Sequence, residues 1–253
     1  MHYLARLRAQ DQSRRRDKPF MRFAAPLIEA RLERRYKRFL ADVTIAGETV
    51  TAHCANPGSM MGLNTPGARC FVAANDDPRR KLKYSLEIVE ADGGLVAINT
   101  SNPNRIADEA VAHGAIPELA GYAERRREVR YGRNSRIDLL LTDPDRADAY
   151  VEVKNCHLMR TPGLAEFPDS VTARGAKHLG ELADMAAHGF RAVQIFIVQR
   201  GDCDRLRPAR DLDPVYADAL AAAEAAGVEL LAYACSVTPE AVTLDRRIPV
   251  EAA

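Results

Sequence analysis

Near residue 102 the periodicity of this chain changes, and the change limits the fold to two unlike domains. Between about 26 and 101, short β-type runs (FLADVTIA, TVTAHCA, ARCFVAA, KYSLEIVEA, LVAINTS) are punctuated by Gly47-Glu48, NPGS and Asp92-Gly93-Gly94. Strands at that spacing, joined by Gly- and Pro-containing turns, predict a small β-barrel or sandwich. After Asn102-Pro103-Asn104, helical and strand periods alternate. RIADEAVAHGA carries Ile106, Ala107, Ala110 and Val111 on one side of a helix, with Gly114 near its end. REVRY, RIDLLLT and AYVEVKNCHL read as strands. Ser170 or Thr172 can cap the helix VTARGAKHLGELADMAAHG. AVQIFIVQ reads as a strand buried on both faces, DLDPVYADALAAAEAAG as an alanine-rich helix, and VELLAYACSVT and AVTLDRRIPV as strands. The second domain is therefore mixed α/β.

Residues 1–20 differ from both domains. They are charged, almost free of β-branched residues and closed by Pro19, so a flexible basic arm is expected. The expected division is 1–20 arm, 21–101 barrel and 102–253 α/β domain. No apolar run approaches the roughly 18 residues a membrane span needs, and the N-terminus lacks the apolar stretch of a secretory signal. A cytoplasmic protein with no membrane partner is expected. Five scattered cysteines without a CxxC pair argue against a zinc knuckle or disulfide framework and for reduced, mostly buried thiols. The net charge of +1 conceals segregation: basic residues cluster in 1–22, in 31–38 and in 125–136. Separate basic clusters suit a polyanionic partner.

The sharpest chemical pattern is RID…VEVK. Alternate strand residues share a face, so Glu152 and Lys154 point one way, Val151 and Val153 the other. Asp143-Pro144-Asp145-Arg146 is turn chemistry between two apolar runs. A hairpin centred on residue 145 sets Asp138 opposite Glu152, with Leu139 and Leu141 on the face of Val151 and Val153. Two adjacent carboxylates repel unless a cation lies between them, and Mg²⁺ or Mn²⁺ is the fitting ion. Such an ion activates water and polarises a phosphate, while Lys154 offsets developing charge. A solvent-exposed strand with a polar face is the bland alternative.

The hairpin and its flanking helices resemble the PD-(D/E)xK nuclease core, an αβββαβ unit with the acid on its second strand and ExK on its third. The resemblance implies catalytic roles for Asp138, Glu152 and Lys154, metal ligation by Asp138 and Glu152, and an extra acid at Glu109 on the first helix. RID stands where that family has PD. A longer series of motifs runs over residues 21 to 250, including PLIEARLERRYKRFLADV, TAHCANPGSM, AINTSNPNRIADEAV, SRIDLLL, YVEVKN and FPDSVTARGAKHLGEL. Together they are similar to the sugar fermentation stimulation protein A (SfsA) family. This resemblance implies an α/β (α+β) two-domain protein: an N-terminal OB-like β-barrel and a C-terminal PD-(D/E)xK nuclease-like domain that binds DNA with little sequence preference. TAHCANPGSM departs from the family's HCPNTGSM at Ala55 and Pro57.

Candidate DNA contacts follow from residue types. Arg34, Arg35, Lys37 and Arg38 interleave with Tyr36 and Phe39, a combination suited to phosphate tracking and base stacking. Core packing is as good a reading for Tyr36 and a better one for Phe39. Asn56 and Ser59 lie in a polar turn able to hold a phosphate or to serve only as a turn. Arg174, Lys177 and His178 recur at helical spacing and would meet phosphate near the metal, with a surface histidine as the alternative for His178. Two functions are weighed: a Mg²⁺-dependent nuclease acting on DNA, with single strands or RNA as open alternatives, and a non-catalytic DNA-binding regulator of sugar (maltose-type) metabolism.

Overall fold

The computed structural model describes residues 20–132 and 135–251; the basic arm expected at the start of the chain lies, but for residue 20, outside them. Strand β1 (Phe20–Arg22) precedes a run of six: β2 (Ile28–Tyr36), β3 (Leu40–Ile45), β4 (Glu48–Cys54), β5 (Arg69–Ala74), β6 (Tyr84–Ala91) and β7 (Gly94–Ala97). These six form a sheet in the order β4-β3-β2-β5-β6-β7, and a parallel pairing of Ala52–Cys54 with Tyr84–Leu86 closes five of them into a barrel. Closure removes the unpaired edges that a short open sheet would expose. Leu32, Val43, Cys54, Met60, Val72, Leu86 and Ile98 fill the interior. The tight β6–β7 turn needs positive φ at both central residues, supplied by Asp92 (54°) and Gly93 (79°).

The second domain continues with α1 (Asn102–Ala112), β8 (Glu124–Tyr131), β9 (Ser135–Asp143), β10 (Arg146–Cys156), β11 (Leu158–Thr161) and β12 (Gly163–Phe167). Then follow α2 (Ala173–Ala187), β13 (Arg191–Val198), β14 (Cys203–Pro208), α3 (Pro214–Ala225), β15 (Glu229–Val237) and β16 (Ala241–Ile248). The αβββαβ order is present, interrupted by the β11–β12 hairpin, which pairs with β14 as a separate three-stranded sheet. Pro103 in the first turn starts α1, where a missing N–H costs nothing. Thr172 rather than Ser170 caps α2, accepting from the Gly175 N–H at 3.1 Å. Asp213 caps α3 through the Tyr216 N–H (2.9 Å) and also accepts from the Thr172 N–H (2.7 Å), which ties the two helix starts together.

The main sheet runs β1-β16-β15-β13-β10-β9-β8. One face packs on α1 through Leu139, Leu141, Val151, Val153 and Ile195; the other packs on α2 and α3 through Leu140, Phe196, Leu179 and Tyr216. The expected boundary at residue 21 does not hold for β1, which pairs with β16 in this sheet. Phe71, Ile88 and Ala97 of the barrel belong to the same apolar cluster as α1, so the domains share a core. Arg200, almost fully buried, reinforces the joint by pairing with Asp92 of the barrel (2.9 Å) and with Asp202 (2.6 Å). All five cysteines are buried and none is in a disulfide. No described helix is long and apolar enough to cross a membrane.

Candidate active site

The β9–β10 register sets the site. Leu141 faces Ala149, Leu140 faces Tyr150 and Leu139 faces Val151, so the next step brings Asp138 to Glu152. There the ladder ends. Asp138 turns its carboxylate into the opening between the strands, where Oδ2 accepts the Val153 backbone N–H at 2.7 Å. Its Oδ1 accepts from Asn104 Nδ2 of α1 at 2.6 Å. Asp138 therefore sits at the seam between the two sheet faces, whereas Glu152 faces α2.

Glu152 is only 3% exposed. Its Oε1 accepts from Lys154 Nζ at 2.8 Å and from His178 Nδ1 of α2. An ionised carboxylate only accepts, so His178 carries its proton on Nδ1, and Nε2 is free to accept from Arg174 Nε at 3.3 Å. The second oxygen, Oε2, is buried without a hydrogen-bond partner. Beside Glu152 in the β10–β13 register stands Gln194, also fully buried. Its amide donates to the Tyr216 hydroxyl at 2.6 Å, which leaves the Gln194 Oε1 without a partner as well. Two buried acceptors without partners therefore stand at paired positions of neighbouring strands.

Burial pushes the Asp138 carboxyl up to about 6, and the nearby Glu152 charge adds to the rise. Burial also pushes Glu152 upward, but the His178 hydrogen bond and the Lys154 charge outweigh it and hold that carboxyl below its usual value. The two acids are thus driven apart, as paired carboxylates with different tasks are. The donor set suits a hard divalent ion: Glu152 Oε2 is unused, and each Asp138 oxygen keeps a lone pair after its one hydrogen bond. Among the described residues, no three His, Cys, Asp or Glu side chains converge on one point, so an ion here would complete its shell with water or substrate oxygen.

Glu109, expected as an extra acid, is paired instead with Arg105 at 2.8 Å. The helical phase explains this. At about 100° per residue, Glu109 lies about 200° from Ala107, the centre of the buried face, whereas Asn104 lies within about 60° of it. Asn104 is the α1 side chain that reaches Asp138. The sequence signal for it was available in the Ile106-Ala107-Ala110 stripe.

The basic candidates divide. On α2, His178 is buried at 5% exposure and positions Glu152, so it is not a surface histidine. Arg174 and Lys177 are exposed and, with Glu128, Ser135 and Arg136, line an open cavity of about 330 Å³ beside His178. In the barrel, Arg35 is a clamp: its guanidinium donates to the carbonyls of Asn56 (2.7 Å), Gly58 (2.8 Å) and Arg38 (2.9 Å). Tyr36 bonds Asp42 at 3.0 Å and is covered by Arg34, whose Cζ lies 4.8 Å from its ring. Lys37 and Arg38 form the exposed tip of the β2–β3 hairpin. Phe39 beside them is 46% exposed and stacks on His53, which corrects its assignment to the core.

Asn56 and Ser59 do not form a free phosphate cradle. Asn56 is buried, donates to the Ile98 carbonyl (2.9 Å) and accepts the Gly58 N–H (2.9 Å). Ser59 Oγ donates to the Asp169 carbonyl (2.8 Å), and the Met60 N–H donates to Asp169 Oδ2 (3.0 Å). A Cβ on Gly58 would meet the Asp169 carboxylate at 2.5 Å, so glycine is required there by close approach. The Asp169 carboxylate occupies the place a phosphate would take, and NPGS is an interdomain joint.

Comparison with known proteins fits this architecture. The model described as SfsA N-terminal OB domain matches residues 34–98, and that described as sugar fermentation stimulation protein RE domain matches residues 101–241. The sugar fermentation stimulation protein homologs of Maricaulis maris and Rhodospirillum centenum are each 59% identical to this chain. They cover 91% and 92% of it, and 99% and 100% of their own lengths are matched. The structure of Pyrococcus furiosus SfsA in complex with Ca²⁺ superposes with a TM-score of 0.82 at 28% identity, over 92% of this chain and 99% of that one. On this combination of closed barrel, α/β domain and full-length similarity, the chain belongs to the sugar fermentation stimulation protein (SfsA) family.

Proposed function

We propose that this chain is a nuclease-like, DNA-binding protein that hydrolyses phosphodiester bonds with little sequence preference, at a Mg²⁺ or Mn²⁺ site held by Asp138 and Glu152. The observation that carries the reading is the orphaned, buried Oε2 of Glu152 beside an Asp138 carboxyl already raised to about 6. A buried carboxylate oxygen without a partner is costly unless a cation meets it. The divalent cation in the Pyrococcus furiosus SfsA complex, Ca²⁺, is likewise an oxygen-seeking ion. When bound, Mg²⁺ lowers the pKa of a coordinated water and polarises a phosphoryl oxygen.

The protein's own groups supply the rest. His178 fixes the Glu152 carboxylate from one side and Lys154 from the other, so its free oxygen keeps one direction. The Lys154 ammonium, mostly buried, offsets negative charge developing on a phosphate more strongly than it would in water. Asn104 and the Val153 N–H hold Asp138 in the seam between strands. Arg136, Arg174 and Lys177, at the rim of the adjoining cavity, suit the phosphates flanking the reacting one.

The test is nicking of supercoiled plasmid and cutting of single-stranded oligonucleotides by parent and Asp138→Asn protein purified identically. Cleavage by the parent that requires Mg²⁺ or Mn²⁺ and is absent from the variant is the expected result. Equal cleavage by both would mark contamination. No cleavage by either would leave a DNA-binding regulator with a vestigial site.

A further inference from the structure

A second cleft adjoins the site. It has a volume of about 400 Å³ and lies where the barrel meets the α/β domain, with Arg38 and Pro57 on one wall, Val171 and Thr172 on the other, and Lys154 and His157 in its lining. Lys154 also bonds Glu152, so the cleft opens onto the candidate metal site. We infer that this cleft receives one unpaired nucleotide of a single-stranded DNA segment next to the bond held at Asp138 and Glu152, an inference that rests on the function proposed above.

Size favours a small ligand. At about 400 Å³ the cleft falls near the lower end of the roughly 300–1,000 Å³ of small-ligand sites, room for one nucleotide and not for a double helix. Its chemistry fits one nucleotide. Arg38, at a hairpin tip held at positive φ (48° and 63° for Lys37 and Arg38), projects a cation that makes no ion pair among the described residues. The α2 N-terminus adds the partial positive charge of a helix start, favourable to phosphate oxygens. Val171 is 76% exposed and Pro57 is also exposed; they give apolar surface for a base or sugar at the mouth. The two acids in the lining are already engaged, Glu166 with Arg160 and Arg207, and the Asp169 carboxylate with the Met60 N–H.

His157 supplies a directed donor. Gln199 Nε2 donates to the Asn99 carbonyl (3.1 Å), which can only accept, so the same amide must donate to Asn155 Oδ1 (2.7 Å). Asn155 then presents its Nδ2 to His157 Nδ1 (2.9 Å), which places the His157 proton on Nε2. That N–H, on a side chain 4% exposed, makes no well-formed hydrogen bond; its nearest acceptor is Asp169 Oδ2 at 3.4 Å. A chain of amides thus holds one buried donor ready for an acceptor in the cleft, as a base carbonyl or phosphate oxygen provides.

The experiment measures binding in EDTA by fluorescence anisotropy, with one fluorescein-labelled DNA oligonucleotide as a single strand, as a blunt duplex and as a duplex with a single-stranded overhang. For the parent, the single strand and overhang should bind about tenfold more tightly than the blunt duplex. Arg38→Ala and Val171→Asp, both at exposed positions that the fold does not need, should bring that ratio close to one. Equal affinity of the parent for all three DNAs, or variants that keep the parent's ratio, would overturn the inference. Asp138-dependent nicking without single-strand preference would overturn the cleft alone. Single-strand preference lost in Arg38→Ala, without any nicking, would uphold the cleft and overturn hydrolysis. No binding to any DNA would overturn both.

Discussion

Asp138→Asn should make the apo protein more stable while abolishing its cleavage. The Asp138 carboxyl stands at about 6 in the folded chain against an ordinary 3.8. About two pKa units at roughly 1.4 kcal/mol each amount to about 3 kcal/mol. Because the folded value lies above the unfolded one, the neutral carboxyl favours folding fully below about pH 3.8, and that contribution disappears as pH rises through about 6. At pH 7 the folded chain holds an unwelcome charge that an amide does not have. The amide oxygen can still accept the Val153 N–H, and Asn104 can rotate its own amide to accept from the new NH₂. The substitution should therefore raise stability at pH 7 by up to about 3 kcal/mol, or about 6–12 °C in Tm for a chain of this size. Near pH 4, where the parent carboxyl is already mostly protonated when folded, the gain should shrink to about 0.5 kcal/mol. Urea denaturation of both proteins at pH 7 and pH 4, in EDTA, measures this directly. No gain at pH 7, or the same gain at both pH values, would refute the claim that Asp138 is held charged at a cost.

Two further outcomes follow from the geometry. His178→Ala should cost about 1–3 kcal/mol by removing a hydrogen bond to a charged group; it should also raise the Glu152 pKa, read by carboxyl NMR in EDTA, because Glu152 loses a donor that lowers it. An unchanged Glu152 titration would show that His178 only packs. Asp169→Ala should lower Tm by several degrees at pH 7 by leaving the Met60 N–H without its acceptor and His157 without its acidic partner, and calorimetry at pH 4 should give nearly the same loss. The loss persists because burial of Asp169 is outweighed by His157 beside it and by the Met60 N–H, which hold the carboxyl at about 2, so its contribution is present above about pH 3.8 and disappears only as pH falls through 2.

Much of the architecture was legible because it is written in local chemistry. Pro144 and Asp145 mark the turn, and the alternation of Leu139, Leu141, Val151 and Val153 points to the register that brings Asp138 to Glu152; the one-residue shift between Arg146 and Ala149 that produces this register is not written in the turn residues. What the strand pattern lacks is the splay of β9 from β10 at Asp138, because that depends on Asn104 arriving from α1. Glu109 was suggested by the resemblance to the nuclease core, and the helix phase instead directs it to Arg105. Asn56 and Ser59 carry residue types shared by phosphate loops and by tight joints, and only the approach of Asp169, more than a hundred residues away, decides between them. Gln194 and His157 left fainter signals, an amide inside the apolar run AVQIFIV and a histidine just past the end of β10. Their roles rest on partners distant in sequence, Tyr216 and Asp169.

Whether Asp138 and Glu152 share a divalent cation is tested, without any need for turnover, by a crystal grown with Mn²⁺ and read by anomalous scattering. An ion peak touching an Asp138 oxygen and the Glu152 Oε2 now without a partner is expected, with no such peak in Asp138→Asn crystals treated alike. Mn²⁺ bound elsewhere with that position empty, or an identical peak in the variant, would contradict it.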